Sequence, residues 1–392
     1  MPVALESIRD IVHRSHSLQN ELKRLNYSPG GNKTLEKLYN LTEVSKLVGR
    51  SATAIRDAES RGDLPAHQVD PRTRRRIGYT LTEMNYMRER FGTLPGHSPV
   101  EDDPCVVAVQ NFKGGVGKST ISLHLSQYLA RTGYRVCLID CDSQASTTRM
   151  FGYNPDQDVG EDETLLPYFM GERRGIRYAI RDTYWDRLKL VPANLALYSA
   201  EYYLAARARD EKTQKKFFHW LRDGINEVKS GFDVVILDPP PALGMISLNV
   251  LYAASAVVVP MQPGMLEFHS TIQFFTMLEE VLSAINEDLE YGFIRILVNR
   301  KKQRTEDTSA QDDVTDLARD FYGKYLLRNM LYESSEIESA AAMGKTVYEL
   351  TGPTSSHKTY RRALETLDPV CDEIEALIRA TWLSQRRHVA TG

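Results

Sequence analysis

Residues Val106 to Thr120 read VVAVQNFKGGVGKST. An apolar run gives way to glycines at Gly114, Gly115 and Gly117, and helical spacing then resumes through Ile121, Leu125 and Leu129. Strand, glycine loop and helix in that order form the context in which a backbone can wrap a phosphate. Glycine is required because a Cβ would block both the bend and the approach of the anion. The backbone of Gly114, Gly115, Val116, Gly117, Lys118, Ser119 and Thr120 would line the phosphates, with the positive end of the helix behind them. Lys118 would reach the β- and γ-phosphates, and the Ser119 hydroxyl would ligate Mg²⁺. The chemistry implied is binding and hydrolysis of ATP with Mg²⁺.

Lys113 stands directly before Gly114, a position where the general GxxxxGK[ST] pattern asks for no lysine. A second ammonium at the same phosphates costs repulsion unless another anion neutralises it. One nucleotide already has Lys118 and a metal. Lys113 is therefore better explained if it reaches a different nucleotide, held by a second copy of the chain. In this respect KGGVGKST resembles the deviant Walker-A ATPases, the family of ParA, MinD and the nitrogenase iron protein. In that family the extra lysine crosses the dimer interface.

Three further segments carry the resemblance. Tyr134–Ile139 predicts a strand ending in Asp140-Cys141-Asp142. Two carboxylates two apart at a strand end share one side of it. The C-terminal edge of a parallel sheet is where nucleotide chemistry sits. The block resembles the family's DxDxQ segment. That resemblance implies that Asp142 positions or activates the attacking water, while Asp140 helps hold the metal shell and the loop. Phe232–Leu237 is a buried-strand pattern ending in Asp238, the Walker-B arrangement in which the acid holds Mg²⁺ through a water. Pro239 to Gly244 resembles the switch loop near the γ-phosphate. Phe293–Val298 ends in Asn299, at the family position that contacts adenine. The expected catalytic set is Lys113, Lys118 and Asp142. The expected metal set is Ser119, Asp238 and Asp140.

The 392-residue chain is long enough for two or three domains, and 42% hydrophobic with 26% charged residues is ordinary for a soluble globular protein. The net charge of −3 gives no global pull toward DNA or membrane. Residues 1–100 nonetheless carry 16 Lys/Arg against 11 Asp/Glu, so the basic charge is concentrated at the N-terminal end. Residues 4–27 have a partial apolar stripe (Leu5, Ile8, Ile11, Val12, Leu18, Leu22, Leu25), which predicts a helix that packs on the next domain or pairs with a second copy. Tyr27 to Asn32 is a break. Within 40–91, Thr42–Val48, Gly49 and a Ser51-capped segment through Arg61 spell helix, turn, helix. Ser51, Thr53 and Arg56, at the start of the second helix, could enter a DNA groove. Arg72 to Tyr79, with Arg74, Arg75 and Arg76, resembles the basic wing of MerR-type modules and leads into a helix over Leu81–Arg90. Gly92 to Asp103 reads as a linker. The domains expected are thus 1–35, 36–92, a 93–103 linker and 104–392.

The remaining chemistry is weaker. Cys105, Cys137, Cys141 and Cys371 read as buried thiols rather than as a metal or cluster site. Residues 198–229 are expected to be helical, with Leu204, Phe217, Phe218, Trp220 and Leu221 in the core. Lys212, Lys215 and Lys216 read as a solvated face. Lys301, Lys302, Arg304 and Glu306 to Asp313 form a polar loop. Lys345, Lys358, Arg361 and Arg362 lie in the region where ParA proteins carry basic residues for nonspecific DNA. The final helix, about 358–383, has a Glu/Asp-rich outer face, which disfavours a membrane-lying role.

Strand runs ending in functional loops, alternating with helices, predict an α/β fold: a mostly parallel sheet flanked by helices, with a small α-helical winged helix-turn-helix domain in front. The resemblance, over roughly residues 104–385, implies a homodimeric partition ATPase of the longer ParA type, cytoplasmic and nucleoid-associated. It implies a ParB-type partner, nonspecific and operator DNA as ligands, and no membrane. A nucleotide-sensing repressor without turnover is the alternative.

Overall fold

The computed structural model describes residues 3–26, 33–98, 102–208, 217–285, 289–303 and 309–391. The break over Tyr27–Asn32, the cluster Lys212, Lys215 and Lys216, and the segment from Arg304 to Thr308 lie outside them. Seven strands, β1 (Cys105–Val109), β2 (Val136–Asp140), β3 (Arg181–Asp182), β4 (Leu188–Val191), β5 (Val234–Asp238), β6 (Ala256–Met261) and β7 (Phe293–Val298), form one sheet in the order β3-β4-β2-β5-β1-β6-β7. All pairings are parallel except β3 with β4. Every residue of β1, β2, β5 and β6 is buried. Helices cover both faces of such a sheet, which is why these strands read as unbroken Val, Ile and Leu runs. The expected fold class is the one observed.

Ahead of the sheet lie α1 (Val3–Asn26), α2 (Leu41–Val48), α3 (Ala52–Arg61) and α4 (Leu81–Phe91). The two short helices α2 and α3 follow from their caps. Asn40 forms a capping box with Glu43, Gly49 ends α2 at φ 70°, and the Ser51 hydroxyl accepts from the Ala54 N–H to open α3. On α1, Ile8, Ile11, Val12 and Leu18 are exposed, so this stripe is not covered by its own chain.

Sequence reading separates the N-terminal module from the sheet domain by a linker, but the two share one core. Tyr39, Val44, Ile55 and Met84 are buried in the same cluster as Leu129 of α5 (Lys118–Thr132) and Ile374 and Trp382 of the final helix, His357–Thr391. Arg88 of α4 is fully buried. Its Nη2 donates to the carbonyls of Leu47 (3.1 Å) and Arg131 (2.6 Å), joining the end of α2 to the end of α5. Burial lowers its pKa to about 10. The connecting segment is pinned as well: His97 sits edge-on to Trp382 and 2.8 Å from Asp233, and Asp102 accepts from Arg386 (2.7 Å). Lys33 is the third tie. Its ammonium donates to Met150 O (2.9 Å), Gly344 O (2.7 Å) and Glu349 (2.7 Å). Glu349 also accepts from Gln127 of α5 at 2.9 Å.

Within 198–229, expected to be helical, Phe217–His219 are not helical. A helix covers Ala200–Ala208 and another Trp220–Val228. Leu204, Phe218 and Leu221 are buried as expected, whereas Phe217 and Trp220 are half-buried. All four cysteines are free and buried.

Replacing Arg88 by Ala leaves two buried carbonyls without a donor. It should cost about 2–4 kcal/mol in equilibrium urea unfolding. The wild-type N-terminal module and sheet domain should unfold in one transition. Unchanged stability in Arg88→Ala would contradict the shared core.

Candidate functional site: a phosphate loop beside three carboxylates

The glycine loop leaves β1 and enters α5. Gly115 and Gly117 lie at φ 77° and 92°, where an L side chain is strained. A Cβ on Gly117 would meet Asn299 Nδ2 at 2.3 Å, so that glycine also makes room for Asn299. Asn299 Nδ2 donates to Val116 O at 2.6 Å, and Gln262 Nε2 donates to Gly115 O at 3.1 Å. Asn111 fixes the loop entrance. Its Nδ2 donates to Pro260 O (2.8 Å), and its Oδ1 accepts the Lys113 N–H (3.0 Å). The Pro239–Gly244 loop lies alongside, since a Cβ on Gly114 would stand 3.9 Å from Pro241. Gly114 and Thr120 are exposed, and the Thr120 carbonyl contacts His124 Nδ1 at 2.7 Å.

Lys118 is buried, and its Nζ donates to Lys113 O at 3.2 Å. Burial pulls its pKa down, while Asp238 and Asp142 pull it up. Lys113 points elsewhere: its Nζ donates to Glu267 Oε1 at 2.8 Å.

Asp140 and Asp238 are register partners on β2 and β5, so their side chains stand together. Both are fully buried, and Asp142 nearly so. Burial, then the neighbouring Asp238, hold Asp140 well above the usual carboxylate range. Its Oδ2 accepts from the Thr148 N–H (2.9 Å) and hydroxyl (2.7 Å), and its Oδ1 accepts from Asp142 N (3.2 Å). Asp140 thus holds the loop that carries Asp142. Asp238 accepts from the hydroxyls of Thr147 (2.6 Å) and Ser122 (3.3 Å), and burial raises its pKa to about 6. Thr147 and Thr148 belong to α6 (Ser146–Met150).

This crowding fits a divalent cation. Three carboxylates are buried together, two of them, Asp238 and Asp142, near the Lys118 ammonium, and the Ser119 hydroxyl also bonds to Asp238. Among the described residues no cluster of three or more His, Cys, Asp or Glu converges as a ready-made cage. An ion here would draw on Ser119, Asp238, phosphate and water, as Mg²⁺ does.

The DNA candidates fall into separate groups. Ser51 is committed to its cap, while Thr53 and Arg56 are exposed on α3. Val69 bridges Arg76 in a short antiparallel hairpin, with Arg74 at φ 56° and Arg74 and Arg75 exposed at the tip. Arg76 turns back instead. It pairs with Glu59 of α3 at 2.7 Å and stacks on Tyr79, holding the wing to the helix. Lys345 pairs with Glu36 (3.2 Å). Lys358, Arg361 and Arg362 are exposed at the start of the final helix, with Arg361 3.6 Å from Glu365. Arg362 joins Arg319 and Arg328 around an open cleft of about 430 Å³.

Sequence reading missed Asn111, Gln262, Glu267 and Thr147. The dipeptide neighbours of the motifs carried them, but no spacing rule ties a lysine at 113 to a glutamate at 267.

Gly117→Ala imposes both a strained φ, about 1–3 kcal/mol, and a clash with Asn299. Calorimetry should therefore show ATP affinity at least ~10-fold lower. Unchanged affinity would mean that the loop does not hold the nucleotide.

Residues 105–291 match the family described as an AAA domain. The chain is 34% identical over 390 residues to protein SopA of Escherichia coli (strain K12), covering 96% of this chain and 98% of that one. A solved partition protein superposes with a TM-score of 0.65 over 95% of this chain and 98% of its own, at 18% identity. A cobyrinic acid a,c-diamide synthase from Mycobacterium smegmatis, solved with an ATP analogue and magnesium, matches 62% of this chain and 91% of its own at 30% identity and TM-score 0.51. With the phosphate loop, its second lysine and the paired strand-end acids in place, the chain belongs to the ParA family of partition ATPases.

Proposed function

We propose that this chain is an ATP-driven partition switch that binds DNA. The observation that carries the proposal is the convergence of Lys118, Asp238 and Asp142 beside the glycine loop. The glycine loop and Lys118 bind the triphosphate and orient it in line with Asp142. Mg²⁺, when bound through Ser119 and Asp238, would neutralise phosphate charge. Asp142 accepts a proton from the attacking water or fixes its direction, and Asp140 holds Asp142 through the backbone bond already described. Asn299 is proposed to meet the adenine from the far side of the loop. Lys113 is proposed to reach the nucleotide of a second copy, so that ATP closes two subunits face to face.

In the closed form, exposed cations would take DNA phosphates without reading sequence. Support comes from the exposed Lys358, Arg361 and Arg362 and from the three-arginine cleft. A ParB-type partner would stimulate hydrolysis and release. The N-terminal module would repress the protein's own operon through Thr53 and Arg56 and the wing tip, with Ser51 supplying the helix start. The uncovered stripe on α1 supports pairing of two modules, which an operator with two half-sites requires.

Lys118→Ala should abolish ATP binding and ATP-dependent DNA retention together. A Lys118→Ala protein that bound no ATP yet retained DNA like the wild type would overturn the switch. Arg74→Ala with Arg75→Ala should lower operator affinity and reduce the slope of log K against log salt by about 2. An unchanged slope would remove the wing from DNA binding. Arg76 is left intact in this test because it holds the wing in place.

A further inference from the structure

The second lysine is already occupied. Its Nζ donates to Glu267 at 2.8 Å, and both side chains are about a third exposed. Its backbone is held at both ends, by Asn111 Oδ1 on the N–H and by Lys118 Nζ on the carbonyl. Only the side chain of Lys113 is therefore free to re-aim. Glu267 is built for this contact. It lies in the first turn of the helix Met265–Ile285, where an anion is favoured. It folds back over Gly264, where an added Cβ would meet Glu267 Oε2 at 2.2 Å. The neighbours Met265 and Leu266 are 70% and 78% exposed, an apolar pair left open beside the ion pair.

We propose that Glu267 is a positioning residue for Lys113: it holds that ammonium within its own subunit, away from either nucleotide, until a second copy of this chain presents its phosphates. The proposal rests on the reading of Lys113 as a residue that acts across the dimer. Closure exchanges one carboxylate partner for a triphosphate of higher charge, and the apolar pair beside it is covered by the arriving copy. The exchange makes Glu267 a competitor of dimerisation. Its contact sets how much ATP closure requires, and it keeps Lys113 off its own subunit's phosphates.

The test is sedimentation of the full chain with a non-hydrolysable ATP analogue and Mg²⁺, for wild type, Glu267→Gln, Lys113→Gln and the double variant. Glu267→Gln should tighten the dimer by about 3- to 10-fold, the range of a partly exposed ion pair. Lys113→Gln and the double variant should both fail to dimerise. If Lys113→Gln loses the dimer while Glu267→Gln is unchanged or weaker, the holding role is wrong and the reading of Lys113 stands. If Lys113→Gln dimerises normally, the reading of Lys113 is wrong and this proposal goes with it. A double variant as tight as Glu267→Gln alone would mean that Glu267 acts on the interface directly, which also overturns it.

Discussion

Three carboxylates buried beside one ammonium at the C-terminal edge of β2 and β5 are the constraint that the rest of the structure serves. Burial and the neighbouring carboxylates push Asp140 and Asp238 toward their neutral forms. It persists because rigid neighbours hold it. Asp140 and Asp238 are locked by strand register and by the hydroxyls of Thr148 and Thr147. The remaining imbalance calls for positive charge, which a metal ion and Lys118 can supply.

The same edge is tied mechanically to the N-terminal module. α5 begins at the phosphate loop and ends at the carbonyl that Arg88 caps. Gln127 on α5 reaches Glu349, which also receives Lys33 from the segment entering the module. A helix-turn-helix hung on a slack tether would be indifferent to the nucleotide. Here α5 is joined to α2 and α4 through the hydrogen bonds of the buried Arg88. Such contacts have few intermediate geometries.

Much of this was legible in the residues. The glycine loop, the strand-end acids and the helix caps are local, so each segment specifies its own conformation. The strands β1, β2, β5 and β7 fall where the apolar runs place them. What was not legible is what depends on distant partners. Arg76 read as a wing cation because its sequence neighbours are arginines, yet Glu59, 17 residues away, claims it. Gly92 to Asp103 read as a linker because its prolines and glycines lack periodicity. Its anchors, Trp382 and Arg386, lie far along the chain. Lys113 stood out because the general motif asks for no lysine there, but its partner Glu267 did not.

The central claim is that the site is completed by a second copy, and subunit mixing tests it most directly. Lys113→Gln keeps its own Asp142, and Asp142→Ala keeps its own Lys113. Each protein alone should be inactive in ATP turnover. If Lys113 works across the interface, mixing the two should restore turnover, because the Asp142→Ala subunit lends its lysine to the intact water site of the other. If the mixture stays as inactive as its parents while both proteins still bind ATP and pair, Lys113 acts within its own subunit and the account is contradicted.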